Sequence, residues 1–306
     1  MGFLDWLWRL LSAGVPDGDA SPEASVSVHP PRFGAVELAN RLGLSAAALE
    51  SVPVGYRSFT IPKRSGGRRT LHEPVPQLKA VQRTILRRVL GKLHAHPAAM
   101  GFEKGRSIVD NALMHTGAKV VLKMDVKDFF PSTRGERVWL FFRRIGWDEA
   151  ACDLLTRLTT REDGLPQGAP TSPRLSNLVN YELDVRLDAA AARCDAWYTR
   201  YADDLTFSVR CEQSTEALLT SMVPVVLREY GYRLNRRKTR LLRRHHSQRV
   251  TGLTVNDKVG LPRETRRRLR AIRHRLDTGR PATLSEEQMA GWDALEQMIR
   301  LRVAEG

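Results

Sequence analysis

Three aspartates in two short segments have the residue types and spacing that a metal-dependent reaction needs. Asp203 and Asp204 lie between two runs of strand-forming residues, Trp197–Arg200 and Leu205–Val209, so the pattern predicts two adjacent carboxylates at the tip of a hairpin. Asp125 ends another apolar run. Carboxylate oxygens suit Mg²⁺, and two such ions about 3.5–4 Å apart serve phosphoryl transfer. Taken alone, the Asp203–Asp204 segment is as consistent with an acidic solvated turn as with a metal site. Asp125 taken alone is more often a strand-end cap.

Two neighbouring patterns predict the elements that position these side chains. Residues 119–124 are typical of a strand that delivers Asp125 at its carboxyl end, before an aromatic-rich turn. Gly164–Pro173 is a glycine- and proline-rich loop, and the apolar periodicity of Leu175–Leu187 after it predicts a helix. Thr171 or Ser172 is the predicted cap, with the following proline at the first helical position.

Helical periodicity predicts further elements outside this region. Gln77–Leu93 is expected to form a helix that turns Leu78, Val81, Ile85, Val89 and Leu93 inward. Arg263–Leu276 is expected to form a helix with an apolar face of Leu269, Ile272 and Leu276 and arginines around the rest. Phe3–Leu11 has the pattern of a short amphipathic helix, and residues 13–32 have the composition of a linker.

Five ordered motifs resemble those of reverse transcriptases. In chain order they are Ile61–Leu71, Asp125–Phe130, Leu165–Gly168, Tyr201–Asp204 and Leu234–Thr239. The resemblance extends from about Phe33 to Leu276. It implies an α+β, right-hand polymerase fold, with fingers, a palm whose antiparallel sheet carries the catalytic aspartates, and a short helical thumb.

Two further segments resemble signatures of the retron branch. Asn111–His115 matches the Asn-Ala-x-x-His signature, and Val250–Gly252 matches Val-Thr-Gly. Asn111 and His115 are expected to share one helical face. Alone, the first pattern is more often a structural histidine and the second a strand end, but together they favour a retron reverse transcriptase. The domains expected are an N-terminal helix and linker (1–32), fingers with an interleaved retron-type segment (33–118), palm with some fingers elements (119–245), and thumb with a C-terminal tail (246–306).

The resemblance also implies roles for individual residues. Asp125, Asp203 and Asp204, with the Val126 carbonyl, would hold two Mg²⁺ ions, for which Mn²⁺ is an alternative. The nucleotide-binding residues would be Lys63 and Arg69 on the triphosphate, Phe130 as steric gate, Gln167 and Gly168 in the pocket wall, and Lys238 at the leaving group. The candidates for RNA contact are Asn111, His115, Val250, Thr251, Gly252, Arg266, Arg270 and Arg273.

For a retron enzyme, the expected reaction is the copying of part of a dedicated structured noncoding RNA into DNA. Synthesis would use dNTPs, start from a guanosine 2′-hydroxyl and give branched RNA-linked DNA (msDNA). The family further implies antiphage defence with an accessory protein. The alternatives are a group II-like or diversity-generating reverse transcriptase, a non-catalytic RNA-binding protein on a polymerase frame, and a two-metal nuclease.

Composition favours a nucleic-acid partner. Lys and Arg number 49 against 34 Asp and Glu, which gives a net charge of +15. Residues 228–280 contain 18 Lys or Arg and four acidic residues, which is more one-sided than an ordinary solvated surface. Cys152, Cys194 and Cys211 lack metal-ligand spacing and predict a reduced, cytoplasmic protein. The apolar N-terminal run is too short to span a bilayer, so no membrane partner is expected.

Overall fold

A computed structural model describes residues 33–63, 66–210 and 215–304. The predicted N-terminal helix Phe3–Leu11, the linker 13–32 and Cys211 lie outside these residues. The chain divides into two compact units. Unit 1 contains Met1–His96, Lys127–Val185 and Val225–Arg233, and unit 2 contains Pro97–Val126, Arg186–Pro224 and Leu234–Gly306.

The elements follow one another along the chain in mixed order, as expected for an α+β fold. They are α1 (Ala35–Leu42), α2 (Ala46–Glu50), β1 (Tyr56–Pro62), β2 (Arg68–Pro74), α3 (Pro76–Arg88), α4 (Ile108–Leu113), β3 (Val120–Lys127), α5 (Phe129–Ser132), α6 (Gly135–Arg144), α7 (Glu149–Thr159), α8 (Ser172–Val179), α9 (Tyr181–Ala192), β4 (Ala196–Tyr201), β5 (Asp204–Val209), α10 (Thr215–Glu229), β6 (Arg233–Leu234), a 3₁₀ turn (Arg236–Lys238), β7 (Arg240–Arg243), β8 (Arg249–Val250), β9 (Leu253–Thr254), α11 (Arg263–Asp277) and α12 (Glu286–Ala304).

Unit 1 contains an antiparallel hairpin of β1 and β2 and a helical core. The hairpin register runs from Tyr56 opposite Pro74 to Pro62 opposite Arg68. Side chains of α1, α3, α6, α7 and α8 meet in one apolar cluster, which includes Leu38, Leu78, Ile85, Phe142, Trp147, Leu155 and Leu175. Helix α3 is shorter than the predicted Gln77–Leu93, since it ends at Arg88, and Val89 packs in the core just beyond its end.

The helix predicted after the glycine- and proline-rich loop is two helices. Helix α8 ends at Val179, and α9 begins after Asn180. The buried Asn180 amide donates to the Ser176 carbonyl at 2.8 Å and to the Tyr232 hydroxyl at 2.9 Å, which fixes the chain at this break. The predicted side-chain cap is absent: Thr171 is the N-cap residue without a capping hydrogen bond, and the Ser172 hydroxyl donates to the Pro166 carbonyl. The proline is the second helical residue instead of the first.

Unit 2 contains the sheet that the sequence predicts. Its strand order is β4-β5-β3-β6, and β7 also pairs with β3. Strand β3 pairs antiparallel with β5, and β5 pairs antiparallel with β4. Nearly every side chain of β3 is buried, as expected for a central strand. The predicted strands at 119–124, 197–200 and 205–209 are therefore confirmed.

Unit 2 also has an apolar cluster, which joins α4, the β8–β9 hairpin, α11 and α12. Its members include Val109, Ala112, Val250, Leu253, Leu269, Ile272, Met289 and Ile299. The predicted helix Arg263–Leu276 is confirmed, with Leu269 and Ile272 buried and Leu276 packed against the cluster. The stretch predicted as thumb and C-terminal tail (246–306) also contains the helix α12, which packs through Met289, Trp292, Leu295 and Ile299. None of the helices in the described part of the chain has the length and hydropathy needed to cross a bilayer.

Candidate active site

The register of the sheet in unit 2 brings the predicted aspartates together. Asp125, near the end of β3, lies directly opposite Asp204, the first residue of β5. The Val126 amide donates to the Asp203 carbonyl at 2.9 Å, and the Asn235 amide donates to the Asp125 carbonyl at 2.7 Å. Backbone hydrogen bonds thus tie the segments that carry Asp125, Asp203 and Asp204 to one another.

The turn that carries Asp203 is tight. Tyr201 pairs with Asp204, so that Ala202 and Asp203 form a two-residue loop. Ala202 has φ +56°, and a positive φ at the first loop position is typical of a type II′ hairpin turn. A left-handed conformation costs a residue with a Cβ about 1–2 kcal/mol. The side chain of the fully buried Arg200 donates to the Ala202 carbonyl at 3.4 Å and helps to hold the turn.

A segment that the sequence analysis missed lies against this turn. The Met100 amide donates to the Arg200 carbonyl at 2.8 Å, and the Arg200 amide donates to the Ala98 carbonyl at 2.7 Å. A Cβ on Gly101 would lie 3.0 Å from the Ala202 nitrogen, so only glycine fits here without a shift. The contact joins segments about 100 residues apart, and no local sequence pattern reveals it.

Burial and neighbouring negative charge disfavour ionisation of Asp203 and Asp204. Burial, and then the charges of Asp204 and Asp125, raise the pKa of Asp203, against a backbone hydrogen bond and Lys238. Burial also raises the pKa of Asp204; Lys123 and Lys238 oppose this rise, and Asp125 adds to it. Buried like charges disfavour ionisation, and a cation placed among them would reverse that effect.

Lys238 is the cation that the structure places at this centre. Its Nζ lies 2.7 Å from Oδ2 of Asp125, and the hydrogen bond raises the pKa of the lysine. It is positioned by the 3₁₀ turn that follows β6. The predicted position of Lys238 was at the leaving group of the reaction, and in the structure Lys238 contacts the carboxylate of Asp125.

The donor set has the chemistry that a divalent magnesium ion needs. Asp125, Asp203 and Asp204 offer hard oxygen ligands. Because the pKa values of Asp203 and Asp204 are raised, a bound cation would stabilise their ionised forms. In the described residues, no three His, Cys, Asp or Glu side chains converge at metal-binding distance. The strand register pairs Asp125 with Asp204 beside Asp203, and rotation of these side chains between rotamers can bring their carboxylates together.

The other predicted nucleotide-binding residues lie in unit 1. Lys63 and Arg69 are exposed at the turn end of the β1–β2 hairpin, where the Lys63 amide donates to the Gly67 carbonyl at 3.0 Å. The Gln167 carbonyl accepts from the His72 amide of β2 at 2.7 Å. Gly168 has φ +118°, and a Cβ there would lie 3.2 Å from the His72 carbonyl oxygen. The hairpin and the Gln167–Gly168 loop therefore pack together within unit 1.

The two phenylalanines after β3 differ in environment. Phe129 is buried and stacks on Tyr232 with ring centroids 5.5 Å apart. Phe130 is half-buried and packs against the core of unit 1. The expectation that one of the pair is a core residue is met by Phe129, which leaves Phe130 as the candidate for the steric gate.

The residues of the first retron signature are buried. Asn111 and His115 are each 1% exposed, so neither side chain presents a surface to RNA. They do not share one helix as predicted, because α4 ends at Leu113 and His115 follows it. Nδ1 of His115 lies 2.8 Å from the Ser208 hydroxyl and Nε2 lies 2.7 Å from the Thr199 hydroxyl.

The second signature and the basic helix are more accessible. Val250 is buried, Thr251 is half-buried with φ +47°, and Gly252 is exposed with φ +87°. Among the arginines of α11, Arg266, Arg270 and Arg273 are all exposed. Arg273 forms an ion pair with Asp293 of α12, whereas no carboxylate of the described chain forms an ion pair with the other two.

Comparison with known proteins agrees with this geometry. The family described as "Reverse transcriptase (RNA-dependent DNA polymerase)" matches residues 61–255, more than half of the chain. Together with an antiparallel sheet that sets Asp125 opposite Asp204, this match shows that the chain belongs to the reverse transcriptase family, a class with an α+β polymerase fold.

Curated relatives narrow the class to one branch. The chain is 41% identical to the retron Mx162 reverse transcriptase of Myxococcus xanthus, over 85% of this chain and 63% of that protein. It is 39% identical to the retron Mx65 enzyme of the same organism, over 88% and 69%. The retron Ec86 reverse transcriptase of Escherichia coli is 36% identical, over 78% and 74%. The chain is therefore a member of the retron reverse transcriptases, and it spans less than two thirds of the Mx162 protein.

Proposed function

We propose that this chain is the RNA-directed DNA polymerase of a retron. The observation that carries the proposal is the pairing of Asp125 with Asp204 beside Asp203, in a chain that belongs to the retron reverse transcriptases. Its substrates would be dNTPs and a dedicated structured noncoding RNA. Synthesis would begin at a guanosine 2′-hydroxyl and leave a branched RNA-linked DNA, the msDNA.

The carboxylates would hold two Mg²⁺ ions, or Mn²⁺ in their place, with the Val126 carbonyl as a further ligand. Bound ions supply activation of the attacking hydroxyl and stabilisation of charge on the phosphates. The chain itself fixes the carboxylates through the hydrogen bonds of β3, β5 and Asn235. Lys238, whose Nζ lies 2.7 Å from Asp125, would neutralise or protonate the leaving pyrophosphate.

Residues of unit 1 would bind the incoming nucleotide. Lys63 and Arg69 are exposed cations suited to a triphosphate, and the planar guanidinium of Arg69 can bind two oxygens at once. Phe130 would exclude a ribonucleotide 2′-hydroxyl. Gln167 and Gly168 would line the pocket, where their loop is held by the backbone of His72.

The RNA partner is supported by the basic surface of unit 2. Arg266 and Arg270 are exposed on α11 and free to neutralise phosphates. The predicted division into fingers, palm and thumb, the accessory protein and the antiphage role belong to the same proposal. A cytoplasmic location belongs to it too, and the free thiols of Cys152 and Cys194 agree with a reducing compartment.

The test is to purify the protein from cells that carry its native locus and to analyse the bound nucleic acid. Three forms are compared: wild type, Asp203→Asn, and Asp195→Asn, which changes an exposed aspartate at the other end of β4, where its positive φ tolerates asparagine. We expect an RNA-linked DNA of fixed length, sensitive to DNase and to debranching enzyme, with wild type and Asp195→Asn only. RNA without DNA in all three samples would favour a non-catalytic RNA-binding protein, and random nucleic acid would favour another reverse transcriptase branch.

A further inference from the structure

His115 is buried against the hairpin that carries the candidate catalytic aspartates, and it contacts both of its strands. One ring nitrogen contacts Thr199 of β4 and the other contacts Ser208 of β5, at 2.7 and 2.8 Å. Thr199 precedes Asp203 by four residues, and Ser208 follows Asp204 by four. A single side chain therefore bridges both strands about 13 Å from the turn, at about 3.3 Å per residue.

The bridge is chemically complete with a neutral imidazole. A neutral ring has one donor and one acceptor nitrogen, and each hydroxyl can donate or accept, so both nitrogens are satisfied. The ring is buried, and its one charged neighbour among the described groups, Lys123 on β3, also disfavours protonation. The bridge therefore keeps the same hydrogen bonds throughout the neutral pH range.

The opposite end of this segment is anchored to the second retron signature. Helix α4 begins with a capping box of Ser107 and Asp110, which fixes its start. The Thr251 hydroxyl donates to the carbonyl of Ile108, the first residue of that helix, at 2.8 Å. Val109 of α4 and Val250 share one apolar cluster. Contacts within unit 2 therefore link the two signatures: the β8–β9 hairpin contacts the start of α4, and His115 follows the end of α4.

We propose that His115 is a positioning residue, which holds the β4–β5 hairpin so that Asp203 and Asp204 keep their place opposite β3. Thr251 supports it by fixing the start of α4. This inference rests on the proposed polymerase function. It assigns the Asn-Ala-x-x-His signature to the geometry of the catalytic centre, in place of the direct RNA contact that the sequence also allowed.

The partners and neighbours of His115 provide a matched set of variants. His115→Leu removes both hydrogen bonds, His115→Gln can restore one, and Thr199→Val removes one while keeping the shape of the side chain. Thr116→Val is the control, because it removes a hydroxyl from the neighbouring residue that takes no part in the bridge. The measurements are single-nucleotide incorporation on a generic RNA–DNA primer-template, the Mg²⁺ concentration for half-maximal rate, and the affinity for the template.

We expect His115→Leu to lower kcat about tenfold and to raise the Mg²⁺ requirement, since small displacements of catalytic groups have large effects on rate. His115→Gln and Thr199→Val should lie between it and the wild type, and Thr116→Val should match the wild type. KM and affinity for the template should stay within about twofold in all variants. The ratio of variant to wild-type rate should be constant from pH 6 to 9, because the bridge transfers no proton.

Weaker template binding by His115→Leu at unchanged kcat would overturn the proposal in favour of RNA contact, and a pH-dependent rate ratio would overturn it in favour of proton transfer. If His115→Leu does not fold, Thr199→Val decides, and a kcat equal to that of Thr116→Val contradicts the bridge. Hydrogen exchange of the amides in 199–208 gives a readout that does not need polymerase activity. Faster exchange in Thr199→Val than in Thr116→Val supports the bridge even if the wild type incorporates no dNTP, a result that would count against the proposed function alone.

Discussion

The carboxylate centre and the basic helix α11 both belong to unit 2, and they are built in opposite ways. Asp125 is buried, and Asp203 and Asp204 lie on a hairpin whose backbone is hydrogen-bonded on both sides. Arg266 and Arg270 extend from one exposed helical face. Phosphoryl transfer requires fixed positions, whereas attraction of a polyanion requires charge at the surface. Substitutions in the carboxylate centre should therefore change the rate of nucleotide incorporation, and substitutions on α11 should change the affinity for RNA.

Apart from the aspartates themselves, the largest effect is expected from Lys238, which contacts Asp125. Lys238→Met removes the cation 2.7 Å from Asp125, which is also the group that the proposed mechanism uses at the leaving pyrophosphate. We expect kcat to fall about a hundredfold, the range of general acid catalysis, with RNA affinity unchanged. The control is Arg237→Met, an exposed cation of the same turn. Equal rates for the two variants in single-turnover incorporation would contradict a specific role of Lys238, since loss of one positive charge in this turn would then explain the effect.

His115 should make the stability of the carboxylate region depend on pH. Burial lowers its pKa to about 3 from the ordinary 6.5, so the unfolded chain binds a proton more readily than the folded one below pH 6.5. Its contribution to stability is therefore complete above about pH 6.5 and is lost as the pH falls. Between pH 7 and pH 5 the free energy of unfolding should fall by about 2 kcal/mol more in the wild type than in His115→Gln. Denaturant unfolding of both proteins measures this, and parallel pH profiles would show that His115 is not buried.

Gly101 tests how closely the hairpin turn must be held. A Cβ in Gly101→Ala would meet the Ala202 nitrogen at 3.0 Å and push against the turn. We expect kcat to fall about tenfold, because overpacking typically costs 1–3 kcal/mol and shifts the backbone. Gly291→Ala, in the exposed part of α12 with no atom within 4 Å, serves as the control and should slightly stabilise the protein. Wild-type kcat in Gly101→Ala would mean that the turn position is not critical.

The smallest effect is expected on the basic helix. Arg266→Gln combined with Arg270→Gln should weaken RNA binding about fivefold at low salt and reduce the salt dependence by about one unit of slope per lost phosphate contact. Incorporation at saturating RNA should not change. Arg273→Gln is the comparison variant and should have less effect, since Arg273 is already paired with Asp293. Filter binding at several salt concentrations distinguishes these cases, and an equal loss for Arg273→Gln would contradict the argument from ion pairing.

Local patterns were sufficient to predict much of the carboxylate centre. The strands around Asp125, Asp203 and Asp204 follow from alternating and buried apolar residues, and their order matches one family. The basic face of α11 followed from periodicity for the same reason. The prediction failed where a single polar side chain changes a helix, as at Asn180, whose bonds to Ser176 and Tyr232 divide one predicted helix into two.

Contacts between distant segments could not be predicted. Gly101 against Ala202, and His115 against Thr199 and Ser208, join residues that lie 84 to 101 positions apart. A lone glycine or histidine is compatible with many environments, so the pattern around His115 is consistent with either a structural or an RNA-binding role. Its burial at 1% exposure favours the structural one.

The most direct test of the carboxylate centre is single-turnover dNTP incorporation and RNA affinity, measured on the same preparations of wild type, Asp203→Asn and Asp195→Asn. Asp195 is exposed and has a positive φ that asparagine tolerates, so it controls for loss of one negative charge. We predict that Asp203→Asn loses at least about a hundredfold in rate while its RNA affinity stays within twofold, and that Asp195→Asn matches the wild type. Incorporation by Asp203→Asn at the wild-type rate would contradict the assignment of this site.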